Sequence, residues 1–216
     1  MCWSATADLT AGTVITAVGA VCVLRVRRAR DLPVAAVPLL LGVHQLLEAA
    51  VWASGGRCGT AATAWAVIAL PLLPVWVPVG VLLAAGPGAA RRLWWPVAAG
   101  LATAGVLAYC LATGPVSAGI RGHTIGYGVD VPYPAPVLAG YLFATLGALL
   151  LGGDRRLRVL GVVLAVGAAV CAGLWQLEFA STWCAFAAVA SVLVLGWVRR
   201  RPASRHWLRA PRTNSM

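Results

Sequence analysis

The chain has 216 residues, of which 61% are apolar and only 11% charged, with a mean hydropathy of +0.85. A soluble domain is expected to be nearer half apolar and a quarter charged, so this make-up excludes an ordinary soluble fold and points to a membrane protein. The net charge of +11 does not mark a nucleic-acid binder: all seventeen basic residues are Arg, and they fall in short clusters between apolar runs, not on one basic face.

An apolar run of about 17 to 25 residues can cross the hydrocarbon core as a helix. Seven such runs are expected, at about 8–25, 32–53, 61–84, 93–112, 135–152, 157–174 and 180–198. The expected fold class is therefore all-α, an integral membrane bundle of seven transmembrane helices over residues 1–198, followed by a basic tail at 199–216. Between the runs lie "RVRRARD", "SGGRCG", "GPGAARR", a long loop from 113 to 134, "GGDRRLR" and "WQLEF".

The arginines set the orientation. Four follow the first span, two the third and three the fifth, and six more lie from Arg199 to Arg212; only Arg57 and Arg121 fall on the other side. Cytoplasmic loops carry the Arg excess, which puts the N-terminus outside and the C-terminus in the cytoplasm. The N-terminus lacks a basic leader and an Ala-x-Ala cleavage site, so the first span reads as a helix and not as a cleaved signal. Lys-free, Ala-, Gly-, Val- and Arg-rich usage looks like that of a high-GC bacterial genome, and with the spans it leads to the expectation of a bacterial cytoplasmic membrane protein, with the bilayer as its main partner and no role for nucleic acid.

With that orientation the polar residues gather in the outer half. In the second span His44, Gln45, Glu48 and Trp52 are spaced to share one stripe, with Glu48 about 6 Å further out than His44. Asp8, Thr10 and Thr13 open the first span, and Tyr109 and Cys110 end the fourth. The 113–134 loop, "TGPVSAGIRGHTIGYGVDVPYP", adds Arg121, His123, Tyr127 and Asp130, while Trp183 and Cys184 lie early in the seventh span. The inner half reads as nearly all aliphatic, so a working site is expected to open outward.

Glu48 is the sharpest candidate, because a carboxylate near the bilayer centre is costly unless paired or solvated. It reads as a metal ligand, a proton carrier or a general acid–base; the structural alternative is a protonated Glu hydrogen-bonded across helices. His44 reads as a ligand or as a satisfied interior histidine, and His123 as a group folded back over the bundle or an interfacial side chain. Zinc or another transition metal takes His, carboxylate and Cys ligands, so His44, Glu48, His123, Cys2 and Cys184 form the candidate metal set, although no His-Glu-x-x-His or Cys-x-x-Cys is present.

Cys2 offers a thiol beside an α-amine if Met1 is removed, and is a small apolar residue otherwise. Glu48, Cys2 and His123 are the candidate catalytic residues; Gln45, Trp52, Tyr127 and Trp183 are their supports. Cys22 and Cys171 read as packing residues, and a Cys58–Cys110 disulfide is compatible with an outer position. Pro71, Pro74 and Pro78 share a stripe of the third span and free several carbonyls, either as a cavity wall or as a kinked packing helix.

The opening "MCWSATADLTAG" followed by "PLLLGVHQLLEAAVW" resembles an uncharacterised bacterial family of multi-pass membrane proteins whose members begin Met-Cys-Phe-Ser-Ala and carry Gln-x-x-Glu-Gly-x-x-Trp in the second span. The resemblance extends through "GHTIGY" and "STWCAFAA" and so covers most of the chain. It implies Cys2, Ser4, Gln45, Glu48, Trp52, His123, Tyr127, Trp183 and Cys184 as shared positions. Trp3 stands where Phe is usual, Ala49 where Gly is usual, and His44 where Gln is usual.

Three classes of function fit. The first is a metal-dependent, hydrolase-like membrane enzyme acting on a lipid-like or small substrate; it is similar to the seven-helix ceramidase-type hydrolases in span count only, since their His-x-x-x-His is missing. The second is a proton-coupled or metal transporter or channel, and the third a sensor or assembly subunit. A retinal protein is excluded because a Schiff base needs a Lys, and a quinone-linked thiol oxidase lacks its Cys-x-x-Cys.

Overall fold

The computed structural model describes residues 4–56, 59–121, 124–174 and 179–201. Helix formation follows the apolar runs closely, and each of the seven expected segments is helical. They are α1 (Ala5–Leu24), α2 (Ala29–Ala53), α3 (Thr60–Ala84), α4 (Pro87–Thr113), α5 (Pro134–Leu151), α6 (Arg155–Leu174) and α7 (Phe179–Arg200). The first five are long and apolar enough to cross a membrane.

Local signals set the ends. Ser4 caps α1 by accepting a hydrogen bond from the Ala7 amide at 3.2 Å. Asp154 does the same for α6, accepting from the amides of Arg156 at 2.9 Å and Leu157 at 3.3 Å, just after Gly153 has turned the chain at φ +76°. Gly55 and Gly56, also at positive φ, end α2, their amides donating to the Trp52 and Val51 carbonyls.

Each helix packs on the next in sequence, and α7 returns to lie against both α1 and α2. The α1–α2 contact is the most intimate and is made through small residues. A Cβ on Gly19 would meet the Leu39 backbone, one on Gly42 the Thr16 backbone, and one on Gly12 the Leu46 side chain. Close approach through Gly and Thr is how helices associate where lipid removes the hydrophobic drive. These pairs fix an antiparallel register in which Asp8 stands level with about residue 50 of α2.

One end of the bundle gathers the turns rich in Arg and the main apolar core, where Cys22, Val34, Val81, Leu93, Leu157 and Trp197 are buried together. The lateral surface is apolar, with Leu9, Val14, Leu101, Leu138, Val166 and Val192 all exposed. On a soluble protein such a surface would be a liability; against lipid it is the expected exterior.

Two features depart from the sequence expectation. The fold is mostly helical but not all-α, because the 113–134 segment holds two antiparallel strands, β1 (Ser117–Arg121) and β2 (Thr124–Gly128). Their register pairs Ser117 with Gly128, Ile120 with Ile125 and Arg121 with Thr124. The hairpin folds back onto the opposite end of the bundle, where Ile125 is buried with Val51 of α2 and Ala62 of α3, beside Trp52, Ala118 and Tyr127. The alternation of Ala118 and Ile120 with glycine gives β1 one apolar face, which is what a strand needs to pack.

Second, the arginine end is not all aliphatic. Arg201 lies 3.5 Å from Asp154 and 3.9 Å from Asp31, donates to the Ala84 carbonyl at 3.2 Å and stacks over the Trp197 ring at 4.5 Å. Trp197 in turn donates its indole N–H to Asp154 at 3.1 Å. This network joins three turns of the ring, α1–α2, α3–α4 and α5–α6, to the end of α7.

Candidate polar site beneath the hairpin

Of the four residues of the α2 stripe three are buried, His44 at 8% exposed, Gln45 at 2% and Glu48 at 1%, while Trp52 is half-buried. From α1, Asp8 is wholly buried at nearly the same height, about two residues or some 3 Å from the level of Glu48. Two acids, an amide and an imidazole therefore sit inside an otherwise apolar bundle, which membrane energetics tolerates only for groups that are paired or used.

The site has an aromatic wall. The His44 ring lies 4.7 Å from that of Trp65 in α3, tilted by 33°, and Trp65 stacks on Tyr127 of β2 at 3.6 Å and 8°. Three rings thus run from the middle of α2 to the hairpin, each contact worth about 0.5–1.5 kcal/mol beyond burial. Trp52 packs against the hairpin at the same end. Among the described residues, His44 Nε2 and the indole nitrogens of Trp52 and Trp65 are buried without a hydrogen-bond partner.

Of the candidate residues, the structure brings together His44, Gln45 and Glu48, with Tyr127 reaching them through Trp65 and Trp52 lying one turn beyond. Cys2 and His123 lie outside the described residues, although Arg121 and Thr124, which flank the Gly122–His123 pair, sit at the hairpin's tip. Trp183 and Cys184 belong to α7, which packs against α1, α2 and β2; their side chains lie outside the description. Among the described residues no three His, Cys, Asp or Glu side chains gather closely enough to hold an ion. The other candidate ligands, Cys2, His123 and the Cys184 side chain, lie outside the residues that this covers.

Cys110 is a buried free thiol, and Cys58, its expected disulfide partner, lies outside the described residues. Cys22 is likewise free and buried, as a packing residue should be. The proline stripe of α3 behaves as packing. Tyr141 of α5 donates to the Ala69 carbonyl at 2.7 Å, and Gly100 of α4 lies directly against the carbonyl of Pro74.

Sequence reasoning missed Trp65 as part of the site, since a Trp near a helix end reads as an interfacial anchor. It also placed Asp8 at the mouth of the first span without joining it to Glu48. The Asp31–Arg201–Asp154 cluster was missed as well; its signal was an acid embedded in each of the arginine turns "RARD" and "GGDRR".

The long apolar helices, the apolar exterior and the buried polar stripe define the class as a helical protein with the make-up of a membrane protein. Within that class the chain belongs to a family of unknown function, DUF6629, whose model matches residues 1–209. No curated protein and no solved structure matches it.

Proposed function

We propose that the chain is a seven-span protein of the bacterial cytoplasmic membrane, N-terminus outside, whose polar stripe beneath the hairpin is a metal-dependent hydrolytic site facing the outer leaflet. The arginine distribution supports the orientation, with α6 and α7 as the last two spans. Residues 1–198 then form the membrane domain and 199–216 a basic cytoplasmic segment.

The observation that carries the site is His44 Nε2, buried without a partner one turn from Glu48. Leaving such a nitrogen unsatisfied costs about 1–3 kcal/mol, which a ligand would offset. His44 and Glu48, with His123, Cys2 or Cys184, are the residues that would hold zinc or a related ion; when bound, it supplies a Lewis acid and a water ionised near neutral pH. Glu48 accepts and returns the proton at its carboxylate, Gln45 orients the substrate's polar group, and the Trp65–Tyr127 wall keeps bulk water out. A lipid-like or small ester or amide entering from the outer leaflet is the fitting substrate class.

Metal analysis by plasma mass spectrometry on the purified chain tests this, beside Glu48→Gln, His44→Ala and Cys2→Ser. The expected result is about one zinc, copper or iron per chain, lost in Glu48→Gln and His44→Ala with helical circular dichroism unchanged. A chain that stays metal-free after refilling overturns the metal site.

A second reading, a proton-coupled or metal transporter, is favoured by the Asp31–Arg201–Asp154 cluster. With it, the bundle carries polar groups at both ends, as alternating access requires. Proton flux into vesicles that depends on Glu48 would select it.

A further inference from the structure

Between α6 and α7, at the arginine end, a groove of about 290 Å³ is lined by Arg155, Arg156, Val159, Val192, Leu193 and Gly196. Its chemistry changes along its length. Two guanidinium groups stand at the helix ends, and the walls below them are aliphatic, with Val159 47% and Val192 64% exposed. Arg156 is held across the groove by donating to the Gly196 carbonyl at 3.0 Å, so one of its nitrogens is fixed while the residue stays exposed.

Neither guanidinium in the groove makes an ion pair among the described residues. Among the described residues, both ion pairs are made by Arg201. The neighbouring acid, Asp154, is already engaged: one oxygen caps the α6 amides and the other accepts from Trp197 and faces Arg201. Arg158, Arg199 and Arg200 add further charge at the same level. Guanidinium groups above an apolar cleft between membrane helices suit one kind of molecule, with a phosphate at its head and a hydrocarbon chain below.

We infer that this groove binds an anionic phospholipid of the inner leaflet, its phosphate on Arg155 and Arg156 and an acyl chain along Val159, Val192 and Leu193. The inference rests on the membrane orientation proposed above, which places this end in the cytoplasmic leaflet. The ligand is a lipid and not a free anion, because the aliphatic wall has no use for inorganic phosphate. The site is separate from the polar stripe, which lies at the opposite end of the bundle.

The test is native mass spectrometry of the full chain equilibrated with phosphatidylglycerol, cardiolipin and phosphatidylcholine of matched chain length. Retained adducts should favour the anionic lipids. Arg155→Gln with Arg156→Gln should weaken that retention by about fivefold for each lost guanidinium, whereas Arg27→Gln with Arg30→Gln, equal in charge at the same end, should leave it nearly unchanged. Equal loss in both pairs, no headgroup preference, or displacement by inorganic phosphate alone would each overturn the lipid site. Alkaline extraction of membranes separates the two levels. A chain released by carbonate sinks the membrane reading itself, while an alkali-resistant chain without anionic preference overturns the groove alone.

Discussion

At Gly19, a Cβ would lie 2.6 Å from the Leu39 Cα, and neither backbone can retreat without parting α1 from α2. Gly19→Ala should therefore cost about 1–3 kcal/mol of stability, the usual penalty of overpacking. Gly105→Ala, where the added methyl meets nothing within 4 Å, should instead gain up to about 1 kcal/mol from helix propensity. Thermal unfolding of the two variants in detergent checks this, and equal shifts would refute the close-packing account of α1 and α2. Both glycines look alike in the sequence, because small residues are scattered through every span and only the register says which of them meet a neighbour. The polar stripe was more legible: His44, Gln45 and Glu48 stand out against Leu and Ala, and a one-turn spacing leaves them little choice of face. What spacing could not give was Asp8 as their neighbour, which depends on how α1 slides along α2, nor the ring of Trp65 against His44.

Helices and strands obey the same division between local and distant causes. Pro71 and Pro74 drive α3 into a π turn at Ile68–Leu72; in that geometry the Ala69 carbonyl faces position 74, a proline with no N–H to give. Tyr141 supplies the missing donor from α5. Tyr141→Phe should cost about 1 kcal/mol and lower the midpoint of unfolding in detergent without altering metal content. A shift no larger than that of an exposed substitution such as Val166→Ala would mean that the carbonyl finds water instead. The prolines announced a broken helix, but its compensation comes from a residue 72 positions away, beyond any sequence window. The hairpin was hidden differently. Its strands carry glycine at Gly119, Gly126 and Gly128, which lowers β propensity, and the informative sign was the two-residue separation at Gly122–His123, a length that tight hairpins favour.

For the molecule as a whole, the seven helical segments followed from hydropathy alone, since no other backbone arrangement hides its amides over such lengths. The proposed topology makes a direct prediction. A phosphatase that works only outside the cytoplasm should be active when fused after Gly114, beside the hairpin, and inactive when fused after Gly86, at the arginine end. The reverse pattern would invert the bundle and move the polar stripe to the inner leaflet. The ring's closure, by contrast, could not be read from the spans, because α7 against α1 and α2 is a contact between the two ends of the chain.

That closure has a consequence in time. Asp31 is buried at the α1–α2 turn, and the cation beside it, Arg201, is among the last described residues. At about 5–20 residues per second, a ribosome takes roughly ten to thirty seconds to travel from one to the other. For that interval the nascent chain holds the acid without its countercharge, and α1 and α2 are together without the helix that covers them. The first pair must wait in the bilayer in an unfinished form, held by its glycine contact, until the last helix arrives to lock it.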